Sequence, residues 1–225
     1  MHAPAPDTRD QILDAAEALF ARQGFAGTTI KQIGAEAGVN SALLYYYFRD
    51  KEQLYRATLE RLAQGLIRRG VERLDAPGPP EARLRAFLEF QADAVASQPN
   101  LWPIFLRELV DHSARHAVEQ IRLLAATVFR RICDLIAEGQ RTGVFRAELD
   151  PRFAAIACVS TILHFFTARP AIGIFLGFGT EGPPKDTVRA YARHAADFAL
   201  AALTAGAAAR APAPRRRPQR RTRSR

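Results

Sequence analysis

Apolar residues recur in this chain at intervals of three and four for most of its length, and no long run alternates apolar with polar positions. A period near 3.6 gathers such residues on one face of a helix, whereas a half-buried strand needs a period of two. The pattern predicts an all-α fold. With 225 residues, 48% of them hydrophobic and 24% charged, the chain carries enough apolar side chains to close a sizeable core, unlike a disordered or collagen-like sequence.

Start and stop signals divide this pattern into helices. Asp7 or Thr8 is expected to cap a first helix over 8–23, with Gln11 completing a capping box, Ile12, Ala16, Leu19 and Phe20 on one face, and Gly24 ending it. Thr29 and Gln32 form a second box that opens a short helix; it turns Ile30, Ile33 and Ala37 inward and stops at Gly38. After the tight Gly38-Val39-Asn40 turn, Asn40 or Ser41 caps a third helix over 42–48. Asp50 caps a fourth, with Leu54, Leu59, Leu62 and Leu66 along its buried side.

The turn formers of 75–80 mark a border between two units. Residues 1–50 read as a three-helix head, 51–75 as a connecting helix, and 81–208 as a second helical domain with helices at 81–97, 100–111, 114–142, 150–168 and 185–208. Pro99, Gly143, Pro151 and a loop over 170–184 separate them. Residues 209–225 alternate Pro, Ala and Arg, which cannot bury apolar area, and read as a disordered basic tail.

The formal charge of +9 is concentrated in that tail: eight of the 32 basic residues lie at or beyond Arg210, leaving 24 against 23 acidic ones. Bulk charge therefore carries no nucleic-acid argument for the folded part, and a local arrangement has to supply it. The tail itself reads as a solubilising or weakly nucleic-acid-attracted appendage. Cys133 and Cys158 lie in apolar, helix-like stretches and read as free thiols rather than a disulfide. The N-terminus lacks the basic and apolar regions of a signal peptide, and Arg169-Pro170 interrupts the most apolar stretch, so a cytoplasmic location is expected.

Several patterns suggest chemistry and then fall short. Residues 177–182 fit a dinucleotide fingerprint, but no strand-helix-strand unit surrounds them and Pro183-Pro184 follows at once, so they read as a loop. His112 and His116 are spaced for one helix face but lack a third ligand of known placement; they read as solvated surface, and no metal site is expected. His164, beside Phe165 and Phe166, reads first as a core histidine. No nucleophile, metal or acid-base constellation has convincing spacing, so neither enzymatic activity nor a cofactor is expected.

The most informative stretch is 28–54. Two short helices joined by a glycine turn cross steeply enough for one to brace on phosphates while the other enters a major groove. On the third helix Leu44 and Phe48 are four apart and face the core, which leaves Ser41, Ala42, Leu43, Tyr45, Tyr46 and Tyr47 largely outside. Tyrosine hydroxyls suit phosphate oxygens and base edges, and Lys51 adds a charge directed at the DNA backbone. Periodicity alone leaves a helical adaptor, with an aromatic patch for protein contacts, equally open.

Gly24-Phe25, Thr28-Thr29, Ile33, Ala37-Gly38-Val39, the run Leu44-Tyr45-Tyr46-Tyr47-Phe48, Lys51-Glu52 and Leu54 together closely resemble the DNA-binding domain of the TetR/AcrR family of bacterial transcription regulators. The resemblance covers about the first 60 residues. It implies that Thr29 and Lys31 touch the DNA backbone, that Ser41, Ala42, Leu43 and Tyr47 face bases, and that Tyr45, Tyr46 and Lys51 clamp phosphates. Family members often carry histidine where Tyr47 stands and a small or polar residue where Leu43 stands, so base preference does not transfer.

The resemblance further implies a homodimeric repressor. Its partners would be an operator duplex of near-palindromic sequence and a small-molecule effector that releases the DNA. The last two helices would pair across a two-fold axis, with Ala190, Ala195, Ala199 and Ala202 permitting close approach. No motif names the effector. Trp102, Phe105, Leu106, Phe129, Phe153, Leu163, His164 and Phe166 are candidates to line its pocket, being bulky apolar bodies with few polar tips; ordinary core is the alternative for each.

Overall fold

The computed structural model describes residues 8–98 and 100–204. Asp7 as a cap, Pro99, the end of the last expected helix beyond Thr204 and the arginine-rich tail lie outside the described residues. The order is α1 (Thr8–Gly27), α2 (Ile30–Ala37), α3 (Ser41–Tyr47), α4 (Lys51–Leu74), α5 (Pro80–Ser97), α6 (Leu101–Asp111), α7 (Val118–Leu124), a π-helical turn (Ala125–Phe129), α8 (Arg130–Arg141), α9 (Pro151–Thr167), α10 (Arg169–Phe175) and α11 (Lys185–Thr204). No strand occurs among the described residues.

Local chemistry sets the small elements. In the α2 capping box the Thr29 hydroxyl accepts from the Gln32 N–H at 3.2 Å, and the Gln32 side chain accepts from the Thr29 N–H at 2.8 Å. Asn40 caps α3 by accepting from the Leu43 N–H at 2.8 Å, and Asp50 caps α4 through the Gln53 N–H at 2.7 Å. Each such cap contributes about 1 kcal/mol. Between α2 and α3, Gly38 closes the helix with φ 68° and ψ 25°, a left-handed conformation that is costly for residues with a Cβ. Nothing lies within 4 Å of the Cβ it lacks, so only backbone strain opposes a side chain there. Gly38→Ala is expected to destabilise the protein by about 1 kcal/mol, measured as a lower urea midpoint at unchanged slope.

Two cores stack along α4. The head core joins Ile12, Ala16 and Phe20 of α1, Ile33 of α2, Leu44 and Phe48 around α3, and Leu54, Tyr55, Leu59 and Leu62 of the first half of α4. Leu101 and Ile104 of α6 and Ala117 complete it. The body core runs from Ala63, Ile67 and Leu74 of α4 through α5, α8 and α9 to Ala192, Ala196 and Leu200 of α11. One core gives way to the other between Leu62 and Ala63, inside a helix. The 75–80 connection merely returns the chain from α4 to α5 within the body.

Two local expectations change. The 8–23 helix does stop at Gly24 (φ 72°, ψ 176°), but a further helical turn follows the kink as far as Gly27. The segment over 170–184 is not all loop, because Pro170 sits in the first turn of α10, where its missing N–H costs nothing. The axis bends by 80° between α9 and α10. The stretch over 177–182 is a loop as expected, with Gly177, Gly179 and Gly182 all at positive φ. No single helix among the described residues is long and apolar enough to cross a membrane.

Candidate nucleic-acid interface

α3 is anchored by Leu44, fully buried, and by Phe48 at its end. A helix of seven residues has little stability of its own, so these anchors aim it. Ser41, Ala42, Leu43, Tyr45 and Tyr46 are exposed; Tyr46 reaches 80% exposure and Tyr45 52%. Tyr47 is half-buried, packs against the head core, and lies edge-on to Tyr46 with ring centroids 5.2 Å apart. The face is polar at its tips and apolar at Leu43, a combination suited to phosphates and to a thymine methyl.

Thr29 and Lys31 flank this face from α2, both exposed. The Thr29 hydroxyl is already engaged with Gln32, whereas Lys31 has no acidic partner among the described residues. Arg49, beyond α3, is 87% exposed and 3.2 Å from Asp50, whose carboxyl is held below the usual range by the Gln53 N–H and then by Arg49.

Lys51 lies against the protein's own main chain. Its ammonium donates to the carbonyls of Phe25 at 2.9 Å and Thr28 at 3.0 Å, and lies 4.4 Å over the Phe25 ring. With two of its three donors on main-chain carbonyls, Lys51 ties the α1–α2 turn to the start of α4. Thr28, fully buried, fixes the same turn by donating from its hydroxyl to the Gly24 carbonyl at 2.8 Å. The sequence could not disclose this, because both partners of Lys51 are main-chain carbonyls more than 20 residues away.

The candidate pocket residues do not converge. Phe105, Phe129 and Phe166 pack around the body core. Trp102 is half-buried with its indole N–H unpartnered, and the Gln91 side-chain oxygen on α5 is likewise buried without a partner. Leu106 and Leu163 are half-buried. Phe153 is 70% exposed and His164 also faces outward, which corrects the reading of His164 as core.

Phe153 instead borders an open groove of about 430 Å³ between α9 and α11, lined by Ala157, Cys158, Phe198, Ala199 and Leu203 and rimmed by Arg146, Glu148 and Asp150. Ala195 and Ala199, expected at a helix pairing surface, are spent inside the body core, while Ala190 and Ala202 remain outside. The exposed apolar side chains on this face are Phe153, Ile156 and Phe198. Both cysteines are free thiols, and burial pushes that of Cys158 up to about 11. His116 is not solvated surface: it is 4% exposed and paired with buried Glu108. No group of three or more metal-ligating side chains occurs among the described residues.

The family description "Bacterial regulatory proteins, tetR family" matches residues 12–58, and "Tetracyclin repressor-like, C-terminal domain" matches residues 80–198. The chain belongs to the TetR family. It is 31% identical over 175 residues to the HTH-type transcriptional repressor NicS of Pseudomonas putida, covering 76% of this chain and 82% of that one. It is 28% identical over 153 residues to the repressor KstR2 of Mycolicibacterium smegmatis, covering 65% and 75%. The fold matches that of the fatty acid degradation regulator FadR from Bacillus halodurans with a TM-score of 0.71 at 20% identity, covering 88% and 97%. This TetR-family chain is a DNA-binding transcription regulator, and membership decides against the protein-only adaptor. Its relatives are regulators, not enzymes.

Proposed function

We propose that this TetR-family protein is a homodimeric repressor. Its two α3 helices would enter successive major grooves of a near-palindromic operator, about 34 to 36 Å apart. The observation that carries the reading is the division of α3 into an anchored side, Leu44 and Phe48, and an outward side, Leu43, Tyr45 and Tyr46. Leu43 with Ser41, Ala42 and the free edge of Tyr47 meets the bases; Tyr45, Tyr46, Lys31 and the backbone around Thr29 meet the phosphates. Phe153, Ile156 and Phe198 support pairing of α9 and α11 with a second copy, since an apolar face of this kind is costly in water.

Release follows from linkage. An effector that binds better to a dimer whose heads are too far apart lowers operator affinity by the ratio of its two affinities, commonly tenfold to a hundredfold, or about 1.4 to 2.7 kcal/mol. The apolar body and two of its buried polar atoms without partners, Trp102 Nε1 and Gln91 Oε1, favour a largely apolar effector with one or two polar groups.

Selection of genomic fragments by the purified protein, followed by fluorescence anisotropy on the enriched duplex, tests the assignment. Tyr46→Ala is expected to weaken binding to all duplexes about tenfold, whereas Leu43→Ala changes preference at one base pair by about 1 kcal/mol or more. Negligible effects from both substitutions, or no fragment enriched at low salt, would remove the proposed interface.

A further inference from the structure

The corner between α6 and α7 is built around buried charge. Glu108 is completely buried near the end of α6, and its carboxylate accepts from the His116 N–H at 2.7 Å and lies 3.0 Å from His116 Nδ1. Tyr55, a 2% exposed residue of α4 inside the head core, lies edge-on to the His116 ring with centroids 5.4 Å apart, and burial, then the negative charge of Glu108, push its hydroxyl up from its ordinary range. Arg115 Nε donates to His116 Nε2 at 3.3 Å. Because an arginine can only donate, that contact leaves Nδ1 as the ring nitrogen that faces the Glu108 carboxyl with a proton.

The chain is bent out of its preferred conformations to make this arrangement. Ser113 (φ 50°) and Ala114 (φ 62°) are the two described non-glycine residues at positive φ, and they lie side by side in the turn that brings His116 back onto Glu108. The Ala114 N–H donates to the Glu108 carbonyl at 2.9 Å. Strain of this kind persists only where surrounding contacts hold it. The turn delivers Ala117 into the head core, so body and head interlock here.

The contacts continue toward the DNA-facing side. The Phe25 ring lies 5.0 Å from both Tyr55 and His116 and 5.8 Å from His112, and the Lys51 ammonium sits over it. Phe25 belongs to the turn that leads into α2, and Lys51 is the first residue of the helix that follows α3. Beside it, Arg107 of α6 donates to the Arg22 carbonyl at 3.3 Å and occupies the space over Gly24.

We infer that Glu108, which holds the His116 ring of the α6–α7 corner against Tyr55 and Phe25 of the head, is a positioning residue that fixes the DNA-reading head at one angle to the body. The inference rests on the DNA-binding reading above. A buried carboxylate that loses one partner keeps its desolvation cost, so the joint has one well-satisfied arrangement and resists intermediate angles. Only dimers whose heads sit at the operator spacing bind, and affinity falls in proportion to the fraction that does.

Two measurements on the full-length protein test this. In operator binding by anisotropy at 20 °C, Tyr55→Phe and Glu108→Gln are expected to lower affinity at least fivefold. Thr58→Val, which removes a buried hydroxyl that bonds only within its own helix, lowers the melting temperature yet leaves affinity unchanged. Hydrogen exchange without DNA is expected to accelerate at least tenfold over 24–28 and 112–117 in Tyr55→Phe, with α11 unchanged. Wild-type affinity in both joint variants, or acceleration spread evenly over the head, would overturn the positioning role. Absence of binding by the wild-type protein would instead count against the DNA-binding reading, and the exchange experiment would still decide the joint.

Discussion

Leu44→Ala is expected to cost about 2 to 5 kcal/mol and to abolish operator binding at physiological temperature. Leu44 is fully buried in the head core where α1, α2 and α4 meet. Truncation removes three buried carbon atoms and leaves a cavity lined by partners held in other helices. The seven-residue α3 would then be held chiefly by Phe48 and the half-buried Tyr47. Because the head and body cores divide within α4, the loss should appear as an early transition confined to the head. Amide exchange over 30–60 would accelerate well before that of α8 or α11. Tyr46→Ala, on the exposed side of the same helix, is the matched comparison and should melt like the wild type while binding DNA poorly. A Leu44→Ala protein with wild-type melting and affinity would contradict the packing that aims α3.

The second large effect is expected in the body. Gly139 is a buried residue of α8, and a Cβ placed on it would overlap the ring of Phe145. That ring cannot retreat, being 2% exposed and fixed by a tight return of the chain. The N–H groups of Val144 and Phe145 both donate to the Gly139 carbonyl at 2.9 Å, and the Arg146 N–H donates to the Leu203 carbonyl at 2.9 Å. Gly139→Ala should therefore destabilise the protein by about 3 kcal/mol, even though alanine favours a helix by up to about 1 kcal/mol over glycine. Gly65→Ala supplies the contrast. Position 65 lies in α4 with open space around its absent Cβ, so the same change should stabilise slightly. Thermal melts of the two variants shifting in the same direction would refute the account of the Phe145 contact.

Pairing at the α9–α11 face would protect both hydrophobic rings of that surface, Phe153 and Phe198, and would make stability depend on protein concentration. It would also cover the groove over Cys158, a thiol that burial already holds in its neutral form.

What could be read in the sequence is what depends on residues within about four positions of one another. The Thr29–Gln32 box, the Asn40 and Asp50 caps, the left-handed Gly38 and the inward pair Leu44 and Phe48 are local hydrogen bonds or one-turn periodicities, and the structure contains all of them. The all-α class and the helix-turn-helix follow from the same short-range rules. What tertiary structure alone decided is which helices meet. Lys51 became a strut because main-chain carbonyls of the α1–α2 turn come within its reach. His116 went inside because a strained turn folds it onto Glu108 and against the Tyr55 ring. Ala195 turned to the body core, and Ala199 sits where that core meets the groove between α9 and α11. Burial is a property of how elements pack, and a chain of amphipathic helices specifies each helix's apolar face well before it specifies the neighbour that covers it.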